Sequence, residues 1–213
     1  MLNLASSDRD MRTRAVRVAG AVLAAGCSSR MGRNKLLLEW GGEPLLKHAV
    51  RVAAAAGLDP LVVVVGFEAD RATDLLTGEP CRLVVNAEHE IGMHSSAAAA
   101  AEAVARDAEA LIIMLADMPL VTAAMLETIR CKHQSTGAGL IASRYGDVVA
   151  PPTLFDHSLF PHLQSMTGGS VKTIVEKFWS EALVVDWHPS LLRDIDTPDD
   201  FEALLRTGFE AAE

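Results

Sequence analysis

The chain has 213 residues, of which 50% are hydrophobic and 22% charged. That is enough apolar material for a sizeable core without disulfides or structural metals, and it excludes wholesale disorder. The 19 Lys and Arg against 28 Asp and Glu give a net charge of −9, which argues against a nucleic-acid or membrane-surface binder but leaves room for a small anion held by local cations.

Arg9, Arg12, Arg14 and Arg17 precede an apolar stretch, Val18 to Ala25, and then Gly26-Cys27, an order that imitates a bacterial lipoprotein signal. The alternative is a disordered basic leader over residues 1–15 that runs into a first buried strand, Val16 to Leu23, with residues 16–213 forming one domain. Pro44 to Ala56 has helical character, with Pro44 suited to a first helical position. Leu61 to Val65 reads as a strand covered on both faces. A helix over Glu68 to Leu76 and a strand over Arg82 to Val85 follow. Ser95 to Arg106 should be a helix packed closely on a sheet, Ala110 to Leu115 a buried strand, and Thr122 to Gln134 a helix capped by Thr122. Leu140 to Ser143 and Val148 to Leu154 look like strands, the latter demoted to an edge or a bulge by Pro151-Pro152. Ser170 to Trp179, Ala182 to Val185 and Pro198 to Leu205 complete the chain as helix, strand and helix. Alternating strands and helices imply an α/β fold with a mostly parallel sheet, whose ligands lie beyond the carboxyl ends of the strands. No apolar run reaches the length of a membrane span. Cys27, Cys81 and Cys131, with no CxxC pair, suit a reducing cytoplasm.

Most of the chemistry gathers in Leu23-Ala-Ala-Gly-Cys-Ser-Ser-Arg-Met-Gly-Arg-Asn-Lys35. Gly26 and Gly32 allow a close backbone approach, Ser28 and Ser29 offer hydroxyls, and Arg30, Arg33 and Lys35 supply cations with no acid among them. Such a loop can cradle a polyphosphate, although its glycine spacing is neither the Walker sequence nor GxGxxG. A surface turn with incidental basic residues is the plainer alternative.

This LxAGxSxRMGxxK segment resembles the signature loop of the MobA-like nucleotidyltransferases, and most of all the branch with molybdenum cofactor cytidylyltransferases. Five further blocks extend the resemblance: Pro44-Leu-Leu-Lys-His48, Val63-Val-Val-Gly66, Asn86 to Ser96, Leu115-Ala-Asp-Met-Pro119 and Asp194-Ile-Asp-Thr-Pro198. It implies a three-layer α/β/α Rossmann-like fold that transfers CMP from CTP to a phosphorylated small molecule, molybdopterin by analogy, with release of pyrophosphate. Mg²⁺ is the implied cofactor and a molybdenum hydroxylase a possible partner. By this resemblance Leu23, Ala25, Gly26, Ser28, Arg30 and Lys35 surround the nucleotide, with Gly66, Asn86, Gly92 and Ser95 towards base and ribose. Arg30, Lys35 and Asp117 serve catalysis, and the metal sits on Asp117 and Asp196, with Asp194 the fallback.

The residues allow plainer roles as well. Asp117 follows a buried strand, where a carboxylate suits a hard cation, or it caps a turn before Pro119. Asp194 and Asp196 flank Ile195 at a strand end, which places both acids on one side; alternatively Asp196 assists the helix start at Thr197-Pro198. Asn86 and the Gly92 to Ser96 stretch could be a generic polar loop, and His48 a surface or half-buried residue. His89 and His94 lack the spacing of a metal pair. Ala25 in LAAG, where GTP-using relatives carry LAGG, narrows the base pocket towards a pyrimidine. Where the family often has GDxGAR, this chain has Thr167-Gly-Gly-Ser-Val-Lys-Thr173, with Lys172 the substitute for the Arg. A reading from another class is an oxidoreductase resembling nicotine blue oxidoreductase, with a nicotinamide cofactor. A third is a nucleotide-binding protein without turnover.

Overall fold

A computed structural model of the chain describes residues 16–207; the leader expected over residues 1–15 lies outside them. The elements run β1 (Val18–Ala24), β2 (Glu39–Trp40), β3 (Glu43–Pro44), α1 (Leu45–Ala55), β4 (Leu61–Val65), α2 (Ala69–Leu75), β5 (Arg82–Val85), α3 (Met93–Val104) and β6 (Ala110–Leu115). They continue with α4 (Ala123–Thr136), β7 (Leu140–Tyr145), β8 (Val148–Asp156), α5 (Phe160–Gln164), α6 (Val171–Lys177), β9 (Leu183–Trp187) and α7 (Pro198–Thr207). Seven strands form one sheet in the order β5-β4-β1-β6-β8-β7-β9. All neighbours are parallel except β8, which is antiparallel to both β6 and β7.

The apolar stretch after the N-terminal arginines is thus a central strand. Along β1, Val18, Val22 and Ala24 face one core with residues of α1, α2 and α4. Ala19, Ala21 and Leu23 face the other, with α3, α5 and α6. This period-two alternation puts helices on both faces and makes the three layers. Gly20 belongs at the crowded centre, because a Cβ there would come within 2.9 Å of Leu58 and Leu61.

A third, smaller cluster decides where the functional loops go. Met31, Leu38, Trp40, Leu45, Leu120, Ile195 and Leu204 are buried together. They come from the signature loop, the β2–β3 hairpin, α1, the loop after β6 and the chain on either side of Pro198. Burying a side chain the size of Leu or Ile contributes about 1.5–3 kcal/mol, so each of these residues pins the loop that carries it.

Two expectations need correction. Of the edge or bulge expected from Pro151-Pro152, the edge is wrong, because β8 lies inside the sheet, whereas the bulge holds: the pairing with β7 shifts register between Ala142 and Arg144. The irregularity absorbs the missing proline N–H groups, while Pro151 and Pro152 accept through their carbonyls from Tyr145 Oη and Ser143 Oγ. Asp194 and Asp196 do not end a strand either. Their segment makes no ladder and is held by buried Ile195, whose N–H donates to the Asp117 carbonyl at 3.1 Å.

Candidate functional site

The carboxyl ends of β1 and β6 open into a cleft of about 710 Å³. Its floor starts where β1 stops, and Ala116 N–H donates back to Leu23 and Phe67 N–H to Ala25. Beyond Ala25 the chain turns sharply. Ser28 adopts φ 50° and Gly32 φ 69° around a short 3-10 turn, Ser29–Met31. A left-handed serine costs roughly 1–3 kcal/mol and is kept where surroundings over-determine it; here Ser28 Oγ accepts the Lys35 N–H at 3.2 Å and Met31 is buried below. At Gly26 a Cβ would meet nothing within 4 Å, so the backbone faces open space on the cleft side.

Lys35 is brought inward by a second 3-10 turn, Lys35–Leu37, capped by Asn34. Its Nζ lies 2.6 Å from Asp117 Oδ2 and 2.9 Å from Asp196 Oδ1, and Arg30 Nη2 lies 2.9 Å from Asp196 Oδ2. Burial alone would lower the Lys35 pKa, but the charges and hydrogen bonds of Asp117 and Asp196 prevail and raise it. The Asp196 carboxyl is held below the usual carboxylate range by its hydrogen bond to Lys35, against some desolvation. Asp194 points the other way: reduced hydration in the cleft, then the negative charges of Asp117 and Asp196, push its carboxyl up.

The alternatives for the acids resolve here. The start of α7 is capped by Thr197 and Asp200, because Asp200 Oδ2 accepts from the N–H groups of Asp196 and Thr197 and from Thr197 Oγ1. The Asp196 side chain is therefore left to Lys35 and Arg30. Asp117 makes no side-chain cap, and its Oδ1 is buried with no hydrogen-bond partner.

An orphaned carboxylate oxygen beside a second and a third acid is the donor chemistry of a hard divalent cation. Among the described residues no three side chains form a ready-made cage. Asp117 and Asp196 meet at an ammonium instead, and Asp194 lines the same cleft.

Leu23, Ala25, Gly26, Ser28, Arg30, Lys35, Gly92, Asp117, Asp194 and Asp196 all line the cleft. Asn86 and Ser95 do not. Asn86 is buried, donates to Ser95 Oγ and Ser96 Oγ at 2.8 and 3.0 Å and accepts the Glu88 N–H. It ties the loop after β5 to the first turn of α3 from behind. Gly66 also acts from behind, since a Cβ there would lie 2.5 Å from His89 Cβ. Met93 and Ser96, from the Gly92 to Ser96 stretch, line the cleft, and so do His89, Glu90 and Phe67, which had not been singled out in the sequence for that place. The nearest signal was Gly66, whose missing side chain leaves room for His89. Lys172 is elsewhere, in a separate cavity with Val148, Glu176 and Trp179.

Residues 20–182 match the MobA-like NTP transferase domain. The chain belongs to this family. Its fold is the α/β nucleotidyltransferase fold with a mostly parallel central sheet. Among solved structures it is similar to Rv0371c from Mycobacterium tuberculosis H37Rv, with 31% identity and a TM-score of 0.78 over 90% of this chain and 99% of that one. A second structure of that protein is a manganese complex, with 29% identity and a TM-score of 0.70 over 90% and 99%.

Nicotine blue oxidoreductase of Paenarthrobacter nicotinovorans is 29% identical over 88% of this chain and 96% of its own. A probable molybdenum cofactor guanylyltransferase of Opitutus terrae is 38% identical over 56% of this chain and 57% of its own. No helix among the described residues is long and apolar enough to cross a membrane.

Proposed function

We propose that the protein transfers CMP from CTP to a phosphorylated small-molecule acceptor, in the manner of a molybdenum cofactor cytidylyltransferase. The observation that carries this reading is the meeting of Asp117 and Asp196 at Lys35 Nζ beneath the glycine-containing loop. An oxygen of the acceptor phosphate attacks the α-phosphorus, the bond from that phosphorus to the bridging oxygen breaks, and pyrophosphate leaves with the electron pair. The attacking oxygen is already ionised, so the protein needs no general base. Its task is to hold donor and acceptor in line and to balance charge on the leaving group.

In this reading the backbone at Gly26 and the side chains of Arg30 and Lys35 bind the triphosphate. Asp117 and Asp196 would hold a divalent cation, Mg²⁺ by preference, which supplies Lewis acidity at the phosphates. Asp194 can join as a further oxygen ligand. The choice of CTP is supported by Ala25, which is 6% exposed and lines the cleft. Molybdopterin as acceptor and a molybdenum hydroxylase as partner are supported by the family resemblance alone.

A second reading, hydride transfer with a nicotinamide cofactor, is favoured by the near full-length similarity to nicotine blue oxidoreductase. Thermal melting with CTP, GTP, ATP and NADPH, each with and without Mg²⁺, separates the two. A ligand at about 100 times its dissociation constant adds roughly 2.7 kcal/mol. We expect a Mg²⁺-dependent rise with CTP; a rise with NADPH and none with a nucleoside triphosphate would replace transfer by reduction.

A further inference from the structure

His48 stands outside the cleft and takes no part in the reaction as derived above. It sits on α1, and its side chain is 14% exposed. Nε2 lies 3.2 Å from the carbonyl oxygen of Pro119, and Nδ1 lies 3.5 Å from Glu43 Oε1 on β3. The Trp40 ring meets the imidazole edge-on, with centroids 4.8 Å apart and planes at 88°. Glu43 is itself held by Arg51 Nη1 at 2.8 Å. A carbonyl only accepts, so Nε2 carries the hydrogen, and the ring has little freedom to turn away.

Pro119 is two residues beyond Asp117. Among the described residues the turn's backbone is tied by Met118 N–H to Leu115 at 3.4 Å, Val121 N–H to Met118 at 3.2 Å and the Asp117 carbonyl to Ile195 N–H at 3.1 Å, and Met118, Leu120 and Val121 are buried beneath it. The Asp117 carboxylate has no hydrogen-bonded neighbour that fixes its Oδ1. Oδ2 is tied to Lys35 Nζ at 2.6 Å, so the direction of Oδ1 is set by that ion pair together with the backbone that carries the side chain. Ile195 holds that backbone from one end and His48 from the other.

We propose that His48 is a positioning residue, which sets the Asp117 carboxylate for a divalent cation by donating from Nε2 to the Pro119 carbonyl. The inference rests on the metal-site reading under Proposed function. It concerns a contact behind the ligand, and such contacts change metal affinity by about 10–100-fold when removed.

The test uses the full chain and Mn²⁺ alone, with free Mn²⁺ followed by electron paramagnetic resonance, so that no turnover is needed. His48→Gln places an amide donor near the Nε2 position, whereas His48→Leu keeps bulk without a donor. His48→Asn, whose amide is too short to reach Pro119, takes the place of His48→Leu if the latter does not fold. We expect wild type and His48→Gln to agree within about twofold and the donor-less variant to bind Mn²⁺ about tenfold more weakly. Equal binding by the folded donor-less variant overturns the proposal, and so does an equal loss in His48→Gln. Absence of Mn²⁺ binding by the wild type overturns the metal site itself, and the positioning role with it.

Discussion

Replacing Lys35 by Met removes one positive charge and almost no volume, and it leaves Asp117 and Asp196 facing each other. Both carboxylates are now within 3 Å of the same nitrogen, at 2.6 and 2.9 Å. Their side chains are 18% and 35% exposed and that of Lys35 is 13% exposed. Breaking a fully buried pair costs about 3–5 kcal/mol; water at Asp196 screens part of this, which leaves a loss of about 2 kcal/mol. For a chain of this size that lowers Tm by roughly 4–8 °C.

The pH dependence should change sign as well. In the wild type Lys35 lowers the Asp196 pKa, so the pair stabilises the fold above the usual carboxylate range, and this is lost as pH falls through the lowered folded value. In Lys35→Met the two carboxylates repel, the folded form holds protons more tightly than the unfolded chain, and stability rises as pH falls through the carboxylate range. Calorimetry at several pH values, with and without Mn²⁺, measures both effects. We expect Mn²⁺ to raise the Tm of Lys35→Met more than that of the wild type, because the cation takes the place of the ammonium. A Tm within 1 °C of wild type, or equal shifts with Mn²⁺, would refute the electrostatic account of this cluster.

Three further substitutions probe separate parts of the site. In Gly66→Ala the new methyl would lie 2.5–2.8 Å from His89, so the 89–91 turn must move; a loss of about 1–3 kcal/mol should come with weaker nucleotide binding, and unchanged binding would remove His89 from the pocket wall. Asp194→Asn removes a poorly hydrated charge and its repulsion from Asp117 and Asp196, which together raise this carboxyl, and should stabilise the metal-free protein at pH 7 by about 0.5–1 kcal/mol, the gain shrinking as pH falls because the wild-type acid is then protonated; a loss of Tm at pH 7 would contradict this. Ala25→Gly should relax the preference for CTP over GTP in competition melting, and a constant ratio would exclude Ala25 from base choice.

Much of the sheet was legible because its strands are continuous β-branched runs with sharp ends. Leu61–Val65, Arg82–Val85 and Ala110–Leu115 occupy the expected residues. Sheet order is not written locally, so the position of β8 between β6 and β7 could not be read from Pro151-Pro152. In the signature loop, glycines, hydroxyls and cations adjoin in sequence and show their character together. Asn86 was harder, since a polar residue in a loop has the same signature whether it faces a ligand or satisfies buried neighbours. Only the presence of Ser95 and Ser96 within 3.0 Å decides for the second. The cap at α7 was ambiguous for a similar reason: Asp196 and Asp200 both stand near Thr197, and geometry gives the cap to Asp200.

The charge on the cleft wall links these pieces. Arg30 and Lys35 are its cations, and Glu90, Asp117, Asp194 and Asp196 its acids, which makes the described lining negative by two. Lys172 does not change that sum, because it lies in the separate cavity beside Glu176. A nucleoside triphosphate entering this wall bare would meet net repulsion, despite the loop we propose as its phosphate site. Accompanied by a divalent cation, the same ligand finds two carboxylates that lose their repulsion and two cations released towards its oxygens. Nucleotide binding should therefore be far more metal-dependent here than the basic signature loop suggests on its own. Tight binding of CTP in the presence of a chelator would mean that Arg30 and Lys35 leave the acids unaided, and that the carboxylates serve some other end.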